Sequence, residues 1–134
     1  LVDALTGRGD EVVVVDDLSS GKLENLESGM AAGARLVEGD IRDTAFIEST
    51  LEAERPSTVF HLAAQSEVRR SIEQPTLDAT VNVVGSVNLI EASQKIGLDR
   101  FVFASTGGAV YGEGERIDLP ATETIERDGT FGAR

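Results

Sequence analysis

Short apolar runs alternate with amphipathic stretches along this chain, and the alternation predicts its elements. Leu1, Val2 and Leu5 form one apolar stripe that stops at Gly7-Arg8-Gly9. This predicts the last turns of a helix, closed by glycines that can take positive φ. Residues 11–16 are a β-branched run with a polar end, the mark of a buried strand. Asp17-Leu18-Ser19-Ser20-Gly21 is turn chemistry that stops it. Residues 22–29 predict a short helical turn, and residues 34–38 a second, weaker strand ending at Gly39-Asp40. Over residues 41–51, Phe46, Ile47, Thr50 and Leu51 recur at helical spacing, with Asp43 placed to cap. Pro56 and Ser57 break that helix, and residues 58–62 form the next buried strand.

The longest predicted helix covers residues 75–95. Val81, Val84 and Val87 repeat every third position, joined by Ile90, and Gly97 sits where a C′ glycine belongs. Residues 100–104 form the last strand, with Ser105-Thr106-Gly107-Gly108 as a tight loop at its carboxyl end. Alternating short strands and helices predict an α/β fold with a parallel sheet of right-handed βαβ units. The segment after Tyr111 reads as loop.

Composition narrows the function. Among 134 residues, 12 Lys and Arg face 24 Asp and Glu, a net charge of −12 that disfavours nucleic-acid and membrane-surface partners. Without Cys and with one His, disulfides, thiolate zinc, a cysteine nucleophile and a His-rich metal site are all excluded. The longest unbroken apolar runs span four residues, too short for a membrane helix or signal-peptide core. A soluble, cytoplasmic domain that handles small molecules is the expectation. The start at Leu1 and the unpunctuated end at Arg134 read as an internal piece of a longer protein.

In open parallel sheets, ligands bind outside the carboxyl ends of the strands. Asp16 stands at the first such end, where a carboxylate can accept both adenosine ribose hydroxyls, or can simply be a solvated strand-end acid. Asp40 can accept an adenine amino group while Ile41 packs on the base, or it can cap a helix. Ala63 and Ala64 are small where a backbone approaches a pyrophosphate, or where a helix packs tightly on a strand. His61 reads as a packed strand residue rather than a ligand or base. Arg69 and Arg70, among Glu67 and Glu73, read as surface ion pairs rather than phosphate binders.

The ordered set V-V-V-V-D-D-L-S-S-G, E-G-D-I-R-D, V-F-H-L-A-A-Q, N-V-V-G-S and F-A-S-T-G-G-A-V-Y-G-E resembles the extended short-chain dehydrogenase/reductases. Within them it is most similar to the NAD-dependent epimerase/dehydratases, typified by the UDP-glucose 4-epimerases. The resemblance implies a Rossmann-type doubly wound parallel sheet, with residues 1–134 forming part of an NAD-binding domain. It also implies an isomerase that transiently oxidises a hydroxyl of a nucleotide-sugar, in a homodimeric parent. Asp16 would bind the adenosine ribose, with Asp17, Ser20 and Gly21 beside it near the phosphates. Asp40 and Ile41 would hold the adenine. Leu62, Ala63, Ala64 and Gln65 would line the pyrophosphate and nicotinamide ribose, with Asn82 facing the cofactor from the long helix. Ser105 would sit beside the nicotinamide, and Thr106 would hydrogen-bond the sugar hydroxyl. One Gly more than in S-S-S-A-T-V-Y stands before Tyr111, so Ser105 is the alternative for that last role.

Three departures accompany the resemblance. The family's first strand and its G-x-x-G-x-x-G loop are not in this sequence, and neither is its substrate domain. The family's Y-x-x-x-K would start at Phe131-Gly132-Ala133-Arg134, where Phe131 replaces the Tyr and the sequence stops one position before the Lys. A non-catalytic NAD-binding protein of the same fold is therefore the second reading.

Overall fold

The computed structural model describes residues 1–105. Residues Leu1–Val102 form one compact unit, and a second begins at Phe103. Helix α1 (Val2–Arg8) leads to strand β1 (Val13–Asp16), a 3₁₀ turn (Leu23–Leu26) and the short helix α2 (Glu27–Ala31). Strand β2 (Arg35–Glu38), helix α3 (Thr44–Glu54) and strand β3 (Thr58–His61) follow. Helices α4 (Val68–Glu73) and α5 (Pro75–Ala79) run into a π-helical turn (Thr80–Gly85), then α6 (Ser86–Ile96) and β4 (Arg100–Phe103). No helix among the described residues is long and apolar enough to cross a membrane.

The predicted punctuation is where the chain turns. Gly9 and Gly97 end their helices in the left-handed region, at φ 90° and 69°. Asp43 caps α3, its carboxylate accepting from Phe46 N at 3.0 Å. Helix α4, by contrast, had no apolar period to announce it. It is held locally, by Gln74 N donating to Arg70 O and by the exposed Arg69–Glu73 pair.

β1 and β2 pair in parallel, Val13 opposite Arg35 through Asp16 opposite Glu38. β3 pairs with β4 in a separate two-stranded sheet. The single sheet expected from the sequence is thus divided between β1 and β3. That is where the strand order 3-2-1-4-5 of a doubly wound sheet seats its first strand. The strands are also less buried than their β-branched runs implied. Every residue of β1 is half-buried, and in β3 only His61 is buried. A strand with one paired edge keeps part of its surface in water.

The core lies between helices: Ile41, Ile47, Leu51, Leu89 and Ala92 cluster, with Val15, Val59 and Phe101 packed on them. Both strand pairs therefore rest on one apolar layer. Burying a side chain as completely as Ile47 contributes about 1.5–3 kcal/mol. The valine stripe supplies little of this core: Val81 packs on it, but Val84, Val87 and Ile90 are 47%, 46% and 40% exposed. At 3.6 residues per turn, a three-residue spacing slips by about 60° at each step and winds off any one face. The buried face is instead Gly85, Asn88, Leu89, Ala92 and Ser93. Gly85 allows a close approach on this face, since a Cβ there would lie 2.6 Å from Ile41 Cδ1.

Candidate cofactor site

The parallel register of β1 and β2 brings Asp16 and the loop after Glu38 to the same edge, where Gly39 N donates to Asp16 O (3.1 Å). The half-buried Asp16 carboxylate accepts from Leu18 N at 2.7 Å through Oδ1, which leaves Oδ2 without a partner among the described residues. A partly desolvated carboxylate oxygen with open lone pairs suits a ribose hydroxyl donor. Gly21 lies against it: a Cβ at this position would stand 3.0 Å from both carboxylate oxygens. Any side chain here would press into the face that a ribose would use. Asp17 is exposed, and its Oδ1 is taken up by Ser19 N (2.9 Å) and Ser19 Oγ (2.6 Å). Ser20 is exposed in the same turn, and Leu18 takes a φ of 54° there.

Past β2, Asp40 and Ile41 both have partners within the protein. Asp40 does not cap α3, because Asp43 does. Instead its carboxylate accepts from Arg42 N (2.8 Å) and from Arg42 Nε and Nη2 at 2.5–3.0 Å. The hydrogen-bonded guanidinium holds Asp40 below the usual carboxylate range. Ile41 is 9% exposed and fills the core against Gly85, so its side chain is not available to pack on a base. Its apolar character belongs to the core, and only its backbone borders the loop. Asn88 Nδ2 holds that backbone, donating to Ile41 O (3.1 Å) and Arg42 O (3.2 Å).

Past β3, Leu62, Ala63 and Ala64 are exposed and Gln65 is half-buried. Leu62 lies outside the strand, which ends at His61. Asn82 grips the backbone of this loop: Gln65 N donates to its Oδ1 (2.8 Å) and its Nδ2 donates to Gln65 O (3.0 Å). Asp78 Oδ1 accepts from both Asn82 Nδ2 (3.2 Å) and Gln65 Nε2 (3.1 Å). The Asn82 amide, expected to face a cofactor, is thus engaged with protein at both ends and positions the loop instead. His61 is buried, edge-on to Phe101, with Nε2 2.7 Å from Ser86 Oγ. Ser86 donates its own proton to Asn82 O (2.7 Å), so it accepts from His61 Nε2–H. Burial lowers the His61 pKa. His61 is a packed strand residue, as its sequence context implies.

One helical stretch therefore ties down both loops. Asn82 holds residue 65 and Asn88 holds residues 41 and 42, six positions apart, or roughly 9 Å along the axis. Asp78, Asn88 and Arg42 join the site through side-chain geometry that the sequence pattern does not single out. The signals were present: an acid four residues before Asn82, and an amide on the apolar face of a helix, which must find partners. Ser105 is exposed, two residues past β4. Thr106 and Phe131 lie outside the described residues. No metal-binding cluster of acids and His occurs among the described residues.

The NAD dependent epimerase/dehydratase family matches residues 1–132. The chain belongs to this family. It is 48% identical over 113 residues to a UDP-glucose 4-epimerase of Mycolicibacterium smegmatis, covering 84% of this chain and 36% of that protein. Among solved structures, a Thermotoga maritima UDP-glucose 4-epimerase with UDP-glucose is 47% identical, with a TM-score of 0.76 over 84% of this chain and 35% of that one. A Thermus thermophilus UDP-glucose 4-epimerase in complex with NAD is 41% identical, with a TM-score of 0.79 over 96% of this chain and 40% of that one. The family member described here thus spans about a third to two-fifths of these relatives. Its α/β architecture with parallel strands is that of a partial Rossmann fold.

Proposed function

We propose that this chain forms the adenosine-binding side of an NAD site in a nucleotide-sugar epimerase or dehydratase, acting on a UDP-sugar such as UDP-glucose. The observation that carries the reading is the shared edge after β1 and β2. There Asp16 offers an open carboxylate oxygen across from Gly21, and one helix fixes the loops after β2 and β3. Relatives that bind NAD and UDP-glucose share this stretch of chain.

Bound NAD supplies the hydride acceptor for transient oxidation of a sugar hydroxyl. The chain's own residues bind and orient. Asp16 accepts the ribose hydroxyls, and Asp40 lies at the adenine end. Residues 62–65, with little side chain at Ala63 and Ala64, form a backbone wall for the pyrophosphate and nicotinamide ribose. Asn82 keeps that wall in place. Ser105 stands on the nicotinamide side, and Thr106 hydrogen-bonds the sugar hydroxyl. The protein works as a cytoplasmic homodimer in this reading.

A second reading follows from Phe131. A phenyl ring at the position of the family's general base holds no ionisable oxygen, which favours an NAD-binding protein without turnover. Incubating the full-length polypeptide with NAD and UDP-glucose, and resolving the sugar epimers, separates the two. Epimerised product supports the enzyme. NAD binding without product supports the second reading, and no NAD binding refutes both.

A further inference from the structure

The loop after β2 carries a cation to the edge where Asp16 stands. The β1–β2 register and the bond from Gly39 N to Asp16 O bring the chain entering residues 40–42 to the end of β1 that Asp17 and Leu18 follow. Arg42 lies within electrostatic range of Asp17 as well as of Asp40. A guanidinium at this edge is the group that accommodates a ribose 2′-phosphate in dinucleotide folds. In this chain it is folded back. Arg42 Nε lies 3.0 and 2.8 Å from Asp40 Oδ1 and Oδ2, Nη2 lies 2.5 Å from Oδ2, and Arg42 N donates to Oδ1 at 2.8 Å. Three donors of Arg42 thus engage the carboxylate, with the single Nε–H shared between its two oxygens. The side chains are 39% and 31% exposed, so the clamp sits at the surface of the site rather than in the core.

We propose that Asp40 is a specificity-determining residue: by clamping Arg42, it prevents the site from offering a cation to a 2′-phosphorylated dinucleotide. Asp16 and Asp17, both acidic, are then the charges that face that position. This rests on the NAD reading above and deepens it. Asp40 acts through Arg42, so its effect must disappear when Arg42 is removed.

The test is the ratio of NADP to NAD affinity, measured by calorimetric titration of the full-length polypeptide at fixed ionic strength. The two cofactors differ by one phosphate, so any contact of Asp40 with adenine cancels in the ratio. Asp40→Asn is expected to shift the ratio toward NADP by about tenfold, the scale of one charge-assisted hydrogen bond. Asp40→Ala repeats the test without an amide oxygen that could go on holding Arg42. Arg42→Gln alone should leave the ratio within about twofold of the parent, and Arg42→Gln combined with either Asp40 variant should abolish the gain. An unchanged ratio in both Asp40 variants overturns the proposal. So does an Arg42→Gln effect equal in both backgrounds, because that is a bulk charge effect. Failure of the parent to bind NAD overturns the NAD reading as well, whereas NAD binding with no Arg42-dependent gain overturns the clamp alone.

Discussion

Replacing Asn82 with Ala removes the two bonds that hold the backbone of Gln65, at 2.8 and 3.0 Å, and the weaker bond to Asp78. Each such bond contributes about 0.5–1.5 kcal/mol net. Both residues are half-buried, so water recovers part of the loss, and the expected destabilisation is about 2 kcal/mol. If the loop must then be ordered by the cofactor, the same energy is taken from binding. That energy corresponds to at most about thirtyfold in Kd, reached if the cofactor supplies all of the ordering. Asn82→Asp keeps an acceptor for Gln65 N but sets a carboxylate against Gln65 O and Asp78, so it should weaken binding at least as much. Urea unfolding gives the stability change, and calorimetric titration with NAD gives the affinity. Asn82→Ala that loses stability yet binds NAD as the parent does would refute the reasoning, because the residue 65 loop would then be no part of the site.

Three further outcomes follow from the same account. The full-length polypeptide should bind NAD more tightly than NADP, and Asp16→Ala should weaken NAD by about tenfold or more, read by the same titration. Phe131→Tyr should raise the epimerisation rate by at least about tenfold, measured with UDP-glucose, because it restores a phenol on a ring of similar shape. His61 has its pKa lowered by burial, so the unfolded chain takes up the proton first: stability is complete above about pH 6.5 and falls as pH drops below that value. The melting temperature of the parent should show this acid-side decline, and His61→Gln should flatten it.

Much of this architecture is written locally. The caps at Asp43, Gly9 and Gly97 and the turn after Asp16 are backbone chemistry that a few residues decide, and each is where its residues indicate. Long-range consequences were harder to read. The β-branched run of β1 signals a strand but not how many neighbours cover it, and one paired edge leaves it half-buried. The three-residue valine spacing resembles a helical face, yet the core selected Gly85, Leu89 and Ala92, which fit against Ile41 and α3. Ile41 and Asn82 show the same limit at the site. Their neighbours in sequence suggest contact with a ligand, while packing and amide geometry commit them to the protein. Arg42 was legible only as part of a motif string, since its partner Asp40 is chosen by side-chain geometry within the loop.

A crystal structure of the full-length polypeptide with NAD puts the role of Asp16 directly to the test. The adenosine ribose hydroxyls should lie within hydrogen-bonding distance of the Asp16 carboxylate, next to Gly21, with the pyrophosphate running along residues 62–65. A cofactor bound elsewhere, with Asp16 facing only solvent and Leu18 N, would contradict it.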